Sequence, residues 1–327
     1  MISINEFVDD RNINIYTWCI YRDGFVFTAI DEPLHVLDAI VIRNPEECDC
    51  WSPKKSISQH TLAEHIALIN QYKLEKAVII AENIDFIVQC PSLRALEIYP
   101  ANTAPENFDY SPLYEMPELR YVSCYTMYGG IDEPNSTSID YRRINGLKEI
   151  ALSGKGHMNY SKIETVEKLQ INGDKSYRDL KGFSGCAELR DVEFFQCGLK
   201  TLDGISKLKK LQSVNLGYMR SLTDISELTA VASGLRCLFI ENCPKIRDFS
   251  CLYDLKKLEH LELYGKNTLP DLKFLCNMKY LKTFCFSMQI EDCDLTPCLQ
   301  VPYVVSERNR REYNLKDKDL PKDLPEN

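Results

Sequence analysis

Four residues near the start of the chain are of the types that bind a transition metal: Cys48, Cys50, His60 and His65. Zinc accepts two thiolates and two imidazoles in a tetrahedral site. The spacing opposes that reading. Cys48-x-Cys50 is tighter than the usual C-x₂₋₄-C pair. On a helix, His60 and His65 point about 140° apart around the axis and do not share a face. His60-Thr-Leu-Ala-Glu64-His65 fits neither H-E-x-x-H nor H-x-x-E-H. Structural cysteines and surface histidines are the expectation, with no metal and no cofactor. A metal- or thiol-dependent enzyme centred on the N-terminal region is the alternative.

Nucleophilic chemistry has as little support. Most of the 14 cysteines sit on or beside repeating apolar positions, where a small buried hydrophobe suffices. No G-x-S-x-G elbow, P-loop or dinucleotide fingerprint occurs, and Lys155-Gly156-His157 lacks the spacing of a phosphate loop. The chain carries 48 acids and 39 bases, for a net charge of −9. The first 150 residues hold 23 acids and 12 bases (23 − 12 = 11 negative), leaving 25 and 27 in the rest. Phosphate surfaces need clustered Lys and Arg, so nucleic acid and anionic membrane are not expected as partners. The opening residues carry Asp9 and Asp10 where a secretory signal is apolar. No apolar run approaches the ~20 residues of a membrane helix. The cysteines read as reduced thiols and the Asn135-Ser136-Thr137 sequon as a polar loop, which makes the expected location cytoplasmic.

The elements that must position any function are written in an internal period. The pattern L-x-x-L-x-L recurs as Leu189/Val192/Phe194, Leu211/Val214/Leu216, Leu235/Leu238/Ile240, Leu258/Leu261/Leu263 and Leu281/Phe284/Phe286. Successive copies start 22, 24, 23 and 23 residues apart (211 − 189, 235 − 211, 258 − 235, 281 − 258). Looser copies lead in at Val166, Leu147, Leu119, Leu93, Leu74 and Leu37, and Val301/Val304 gives a last degenerate one. Spacing widens around 100–118 and 125–146, which read as surface insertions. One copy cannot bury its apolar side alone; stacked copies bury a continuous column. Between the strand motifs, apolar residues step by three, as in Leu269, Leu272, Leu275, Met278 and Leu281. That step predicts 3₁₀ or irregular turns, with a fuller helical turn where Val231 to Leu235 steps by four.

These motifs resemble the 22-residue leucine-rich repeats of bacterial internalins and of eukaryotic phosphatase-regulatory proteins. The resemblance covers roughly residues 74–300 and is clearest over 180–290. It implies an α/β leucine-rich-repeat solenoid, with a curved parallel sheet on the concave face and 3₁₀, irregular and short helical segments on the convex face. In such repeats the ninth position usually holds Asn; here it holds Cys197, Met219, Cys243, Lys266 and Gln289.

Three regions follow. Residues 1–73 read as an N-terminal α/β cap with a hairpin across Asp23-Gly24. It also holds an amphipathic helix over 58–72 capped by Ser58 or Ser56, and one degenerate repeat is possible. Residues 74–300 carry the repeats. Residues 301–327 form a C-terminal cap and tail.

Strand residues between the motif positions face away from the core and form columns. One column runs Glu97, Ser123, Ala151, Gln170, Glu193, Asn215, Phe239, Glu262, Cys285; the next runs Tyr99, Tyr125, Ser153, Asn172, Phe195, Gly217, Glu241, Tyr264, Ser287. Aromatics among carboxylates suit protein recognition, with rings as anchors and acids steering a basic partner. The candidate partner-binding residues are Tyr99, Tyr121, Tyr125, Glu193, Phe195, Tyr218, Phe239, Glu241, Glu262 and Tyr264. The expected function is a non-catalytic interaction module for a basic protein, with an immunity or inhibitor protein against a basic toxin as its concrete form. A purely architectural scaffold subunit is a third reading.

Overall fold

A computed structural model describes residues 13–14, 19–28, 38–43, 60–101, 104–105, 108–125, 139–154 and 156–323. The chain divides into two compact units, 1–160 and 161–327.

In the first unit, β1 (Ile13–Asn14), β2 (Cys19–Arg22), β3 (Phe25–Thr28) and β4 (Ala39–Arg43) pair antiparallel in that order. Asp23 and Gly24 take φ of 47° and 84°. Those left-handed values match a turn whose twist suits the flanking strands, as Asp-Gly predicts. From β4 onward the pairing is parallel, through β5 (Lys76–Ala81), β6 (Ala95–Pro100), β7 (Tyr121–Tyr125) and β9 (Glu149–Ser153). A side pair joins β8 (Ile139–Asp140) to β10 (His157–Met158).

The helix α1 (Leu62–Tyr72) starts later than expected. Its cap is Thr61, whose hydroxyl receives the Glu64 N–H at 3.3 Å while the Glu64 carboxylate receives the Thr61 N–H at 2.7 Å. Thr61-x-x-Glu64 is a reciprocal capping box; Ser56 and Ser58, the caps expected from sequence, lie outside the described residues. The buried face is His65 and Ile69, while Leu62 stays 43% exposed.

The two widened spacings are not simple surface insertions. Phe108, Tyr110, Leu113 and Met116 are buried, as are Ile139, Tyr141 and Ile144. Bulky rings fill the space that the extra residues open. The stretch 126–138 lies outside the described residues.

The second unit is a single parallel ladder: β11 (Lys168–Asn172), β12 (Asp191–Phe195), β13 (Ser213–Gly217), β14 (Cys237–Glu241), β15 (His260–Tyr264), β17 (Thr283–Phe286) and β19 (Tyr303–Ser306). A short side pair joins β16 (Thr268–Leu269) to β18 (Gln289–Ile290). Register follows the motif. Val192, Val214, Leu238, Leu261, Phe284 and Val304 stand side by side and are at most 1% exposed. Each such burial contributes on the order of 1.5–3 kcal/mol. Opposite the sheet lie 3₁₀ segments, including Ser226–Val231, Ser250–Asp254, Lys273–Asn277 and Thr296–Gln300. The longest is the copy with the step of four, where Leu235 N–H reaches Val231 O at 3.0 Å.

An aspartate precedes each of these segments. The carboxylates of Asp224, Asp248, Asp271 and Asp294 accept the N–H two residues on at 2.7–2.9 Å. The bond satisfies a donor that the short turn leaves open.

The ninth position departs from expectation in two repeats, at Lys266 and at Gln289, where Met288 is the buried residue instead. Cys197 and Cys243 point their thiols at backbone oxygens, 3.2 Å from Ile171 O and 3.3 Å from Leu216 O. In the next copy that interior place is taken by Asn267 rather than Lys266. Its amide donates to Cys243 O at 3.1 Å and Ile246 O at 2.8 Å. Gly265, at φ 137°, accommodates the one-residue shift.

The end of the second unit is closed by residues 306–323. Tyr313 is buried and accepts the Ile290 N–H at 2.9 Å through its hydroxyl, and Lys316 Nζ donates to Arg310 O and Tyr313 O, each at 2.7 Å. Among the described residues no helix is long and apolar enough to cross a membrane.

Candidate protein-binding surface

The face of the sheet turned away from the core differs between the units. In the first, Val26, Ala39, Val41, Val78 and Tyr121 form a buried apolar cluster, with Ala95 and Tyr99 packed against it. Tyr121 is 7% exposed, so it does not offer an anchor to a partner. Its hydroxyl reaches Glu97 at 3.5 Å, and Tyr99 reaches the same carboxylate at 3.3 Å. Tyr125 ends β7, its backbone pairing with Ser153.

In the second unit the equivalent columns are half-buried: Glu193, Phe195, Phe239, Glu241, Glu262 and Tyr264. Phe195 and Tyr218 rings approach at 4.9 Å. Gly217 makes room for them, since a Cβ there would stand 2.6 Å from Phe195 Cδ2. Tyr218 belongs to a further column at the strand ends that the motif does not mark: Gly173, Gln196, Tyr218, Asn242 and Gly265 all take positive φ. The first four donate N–H to the neighbouring strand's last carbonyl at 2.8–2.9 Å. That left-handed step turns the Tyr218 ring back toward Phe195.

Two carboxylates on this face, Glu193 and Glu262, are disfavoured as charges. Burial, with Asp191 nearby, holds the Glu193 carboxyl above the ordinary range despite Lys168. Burial also raises the Glu262 carboxyl, and the charges of Glu307 and Glu241 add to it, while a hydrogen bond from Tyr264 pulls the other way. The Tyr218 phenol is raised chiefly by its hydrogen bond to Glu241. Beside these residues lies a hollow of about 380 Å³, lined by Glu241, Asn242, Tyr264, Gly265, Ser287, Glu307 and Arg308. It was not visible in the repeat, because Glu307 and Arg308 come from beyond the last strand.

Of the residues read as possible metal ligands, His60 and His65 pack into the fold. Cys48 and Cys50 lie outside the described residues. His60 precedes α1, so the helical angle between the histidines does not apply. Its ring stacks on Phe25 at 3.8 Å, and the two imidazoles are 6.4 Å apart. His65 is not a surface residue: it is 1% exposed, with Nδ1 2.8 Å from Thr61 O. Among the described residues no group of three His, Cys, Asp or Glu is placed to hold a metal. His157 is tied into the fold, its Nδ1 3.0 Å from the Tyr141 hydroxyl and its Nε2 3.1 Å from Ser153 O. Burial pushes the Cys90, Cys186 and Cys243 thiols up to about 11 and those of Cys197, Cys251 and Cys298 to about 12. A thiolate nucleophile needs the opposite shift.

No protein-family model matches the chain, and no curated protein matches its sequence. Solved structures match its fold. An internalin from Listeria monocytogenes aligns with a TM-score of 0.52 at 16% identity, over 79% of this chain and 76% of that one. A second Listeria monocytogenes internalin, internalin C2, aligns at 0.37 and 18% identity over 60% and 72%. A Leptospira interrogans leucine-rich-repeat protein aligns at 0.39 and 13% identity over 76% and 82%. With the parallel ladder and its 3₁₀ backing, the first of these establishes a leucine-rich-repeat solenoid.

Proposed function

We propose that this chain is a non-catalytic module that binds a basic protein on the open sheet face of its second unit. The observation that carries this reading is the row of half-buried acids and aromatics over Glu193, Phe195, Phe239, Glu241, Glu262 and Tyr264, with the exposed Tyr218 beside it. Carboxylates raised by burial and mutual repulsion are destabilising in the free protein, and a cation on the partner would relieve them. The rings supply rigid contact area. The narrower form is an immunity or inhibitor protein that neutralises a basic toxin. Its support is the acidic face on a rigid scaffold.

The test is a pull-down from lysate of the native host with wild type and with a Glu193→Lys/Glu241→Lys/Glu262→Lys variant. A basic protein retained by wild type, lost by the variant and released by salt is expected. A partner held equally by both would remove this face from the reading. The alternative enzyme rests on Cys48, Cys50 and His60. Of these only His60 lies in the described residues, stacked on Phe25.

A further inference from the structure

We propose that the hollow beside Tyr264 seats an arginine side chain of the partner. This rests on the reading that the open sheet face binds a basic protein, and it names the anchoring contact. Three carboxylates meet here. Glu241 and Glu307 line the hollow, and Glu262 stands on the strand between them, close enough for both to act on its charge. Glu241 is engaged by neutral donors, Asn242 Nδ2 at 3.2 Å and the Tyr218 hydroxyl. Among the described residues none of the three carboxylates is in a salt bridge. The one base in the lining, Arg308, is exposed. Two acids and one base line the hollow of about 380 Å³, and Glu262 adds a third carboxylate beside it.

The walls choose the cation. Tyr264 is half-buried and lines the hollow among the acids. A guanidinium forks its N–H donors between carboxylates and sheds water more readily than an ammonium. Ser287, 5% exposed, accepts the Gly265 N–H at 3.1 Å and keeps its own proton to donate. That proton suits a partner backbone carbonyl beside the arginine. Arg308 works against the incoming charge, so its removal has the opposite sign from removal of an acid.

The experiment titrates tetra-arginine amide and tetra-lysine amide into the full chain by calorimetry at low ionic strength. Tetra-arginine is expected to bind at least threefold more tightly than tetra-lysine. Glu262→Gln and Glu307→Gln should each weaken it three- to tenfold, and Arg308→Gln should tighten it at least threefold. Asp254→Asn, an exposed acid on the 3₁₀ segment opposite the sheet, should change it less than twofold. Equal losses from Asp254→Asn and Glu307→Gln, no gain from Arg308→Gln, or no binding at all would overturn the arginine seat. The pull-down variant reports separately: a partner still lost on triple reversal keeps the face reading without the seat. Recess effects on the peptide with no such loss would reject the face reading instead.

Discussion

The two units present the same backbone face and use it in opposite ways. In the first, Val26, Val41, Val78 and Tyr121 are at most 7% exposed, so the face behaves as a second core. In the second, Glu193, Phe239 and Glu262 occupy the equivalent column and remain half-open. The ladder itself sets neither outcome. A repeat fixes which residues leave the core; what then packs on them decides whether they stabilise or recognise.

The largest expected effect is on the closed face. Val78→Asp buries a charge without a partner and should cost about 3–5 kcal/mol in urea unfolding. A cost below about 1 kcal/mol would mean that this face is open and the contrast false. Asn267→Ala comes next. It leaves the carbonyls of Cys243 and Ile246 without their donor, at about 2 kcal/mol. Gly217→Ala drives a methyl into Phe195 and should cost about 1–2 kcal/mol. It should also weaken partner binding, whereas an unchanged affinity would remove Phe195 from the surface.

The smallest effects have telling signs. Glu262 has a folded-state pKa raised above its unfolded value. Its charge therefore opposes folding, a penalty present above the folded pKa and relieved as pH falls through it. Glu262→Gln should stabilise slightly at pH 7, by less than about 1 kcal/mol, while weakening the partner. A loss of stability would instead make Glu262 structural. Asp248 behaves in the reverse sense. Its backbone bond to Ser250 lowers its pKa. The stability it contributes is present above the unfolded carboxylate range and is lost as pH falls through the folded value. Melting curves should show acid loss below about pH 4, less steep in Asp248→Asn.

Much of this was readable in advance. The period of 22 to 24 residues located strands whose inward residues are the core, and both outward columns align as the motif implies. The Thr61-x-x-Glu64 box and the aspartates at 224, 248, 271 and 294 are equally legible, because each acts within three residues of itself. The shift from Lys266 to Asn267 was not legible, because the preceding copy has the same 23-residue length and keeps its ninth residue, Cys243, interior. Nor was the aromatic filling of 100–118, where Pro and Asn suggested only a loop.

The sequence by itself determined the repeat, the register and the identity of each outward column. Side chains alternate with period two, and one face must be apolar, so a single shift would expose the whole core. The tertiary structure alone decided that Tyr121 is buried while Tyr264 borders a hollow, that His65 is interior, and that Glu307 joins Glu241 and Glu262. Burial depends on what packs over a face, and those neighbours come from distant positions that no local pattern encodes.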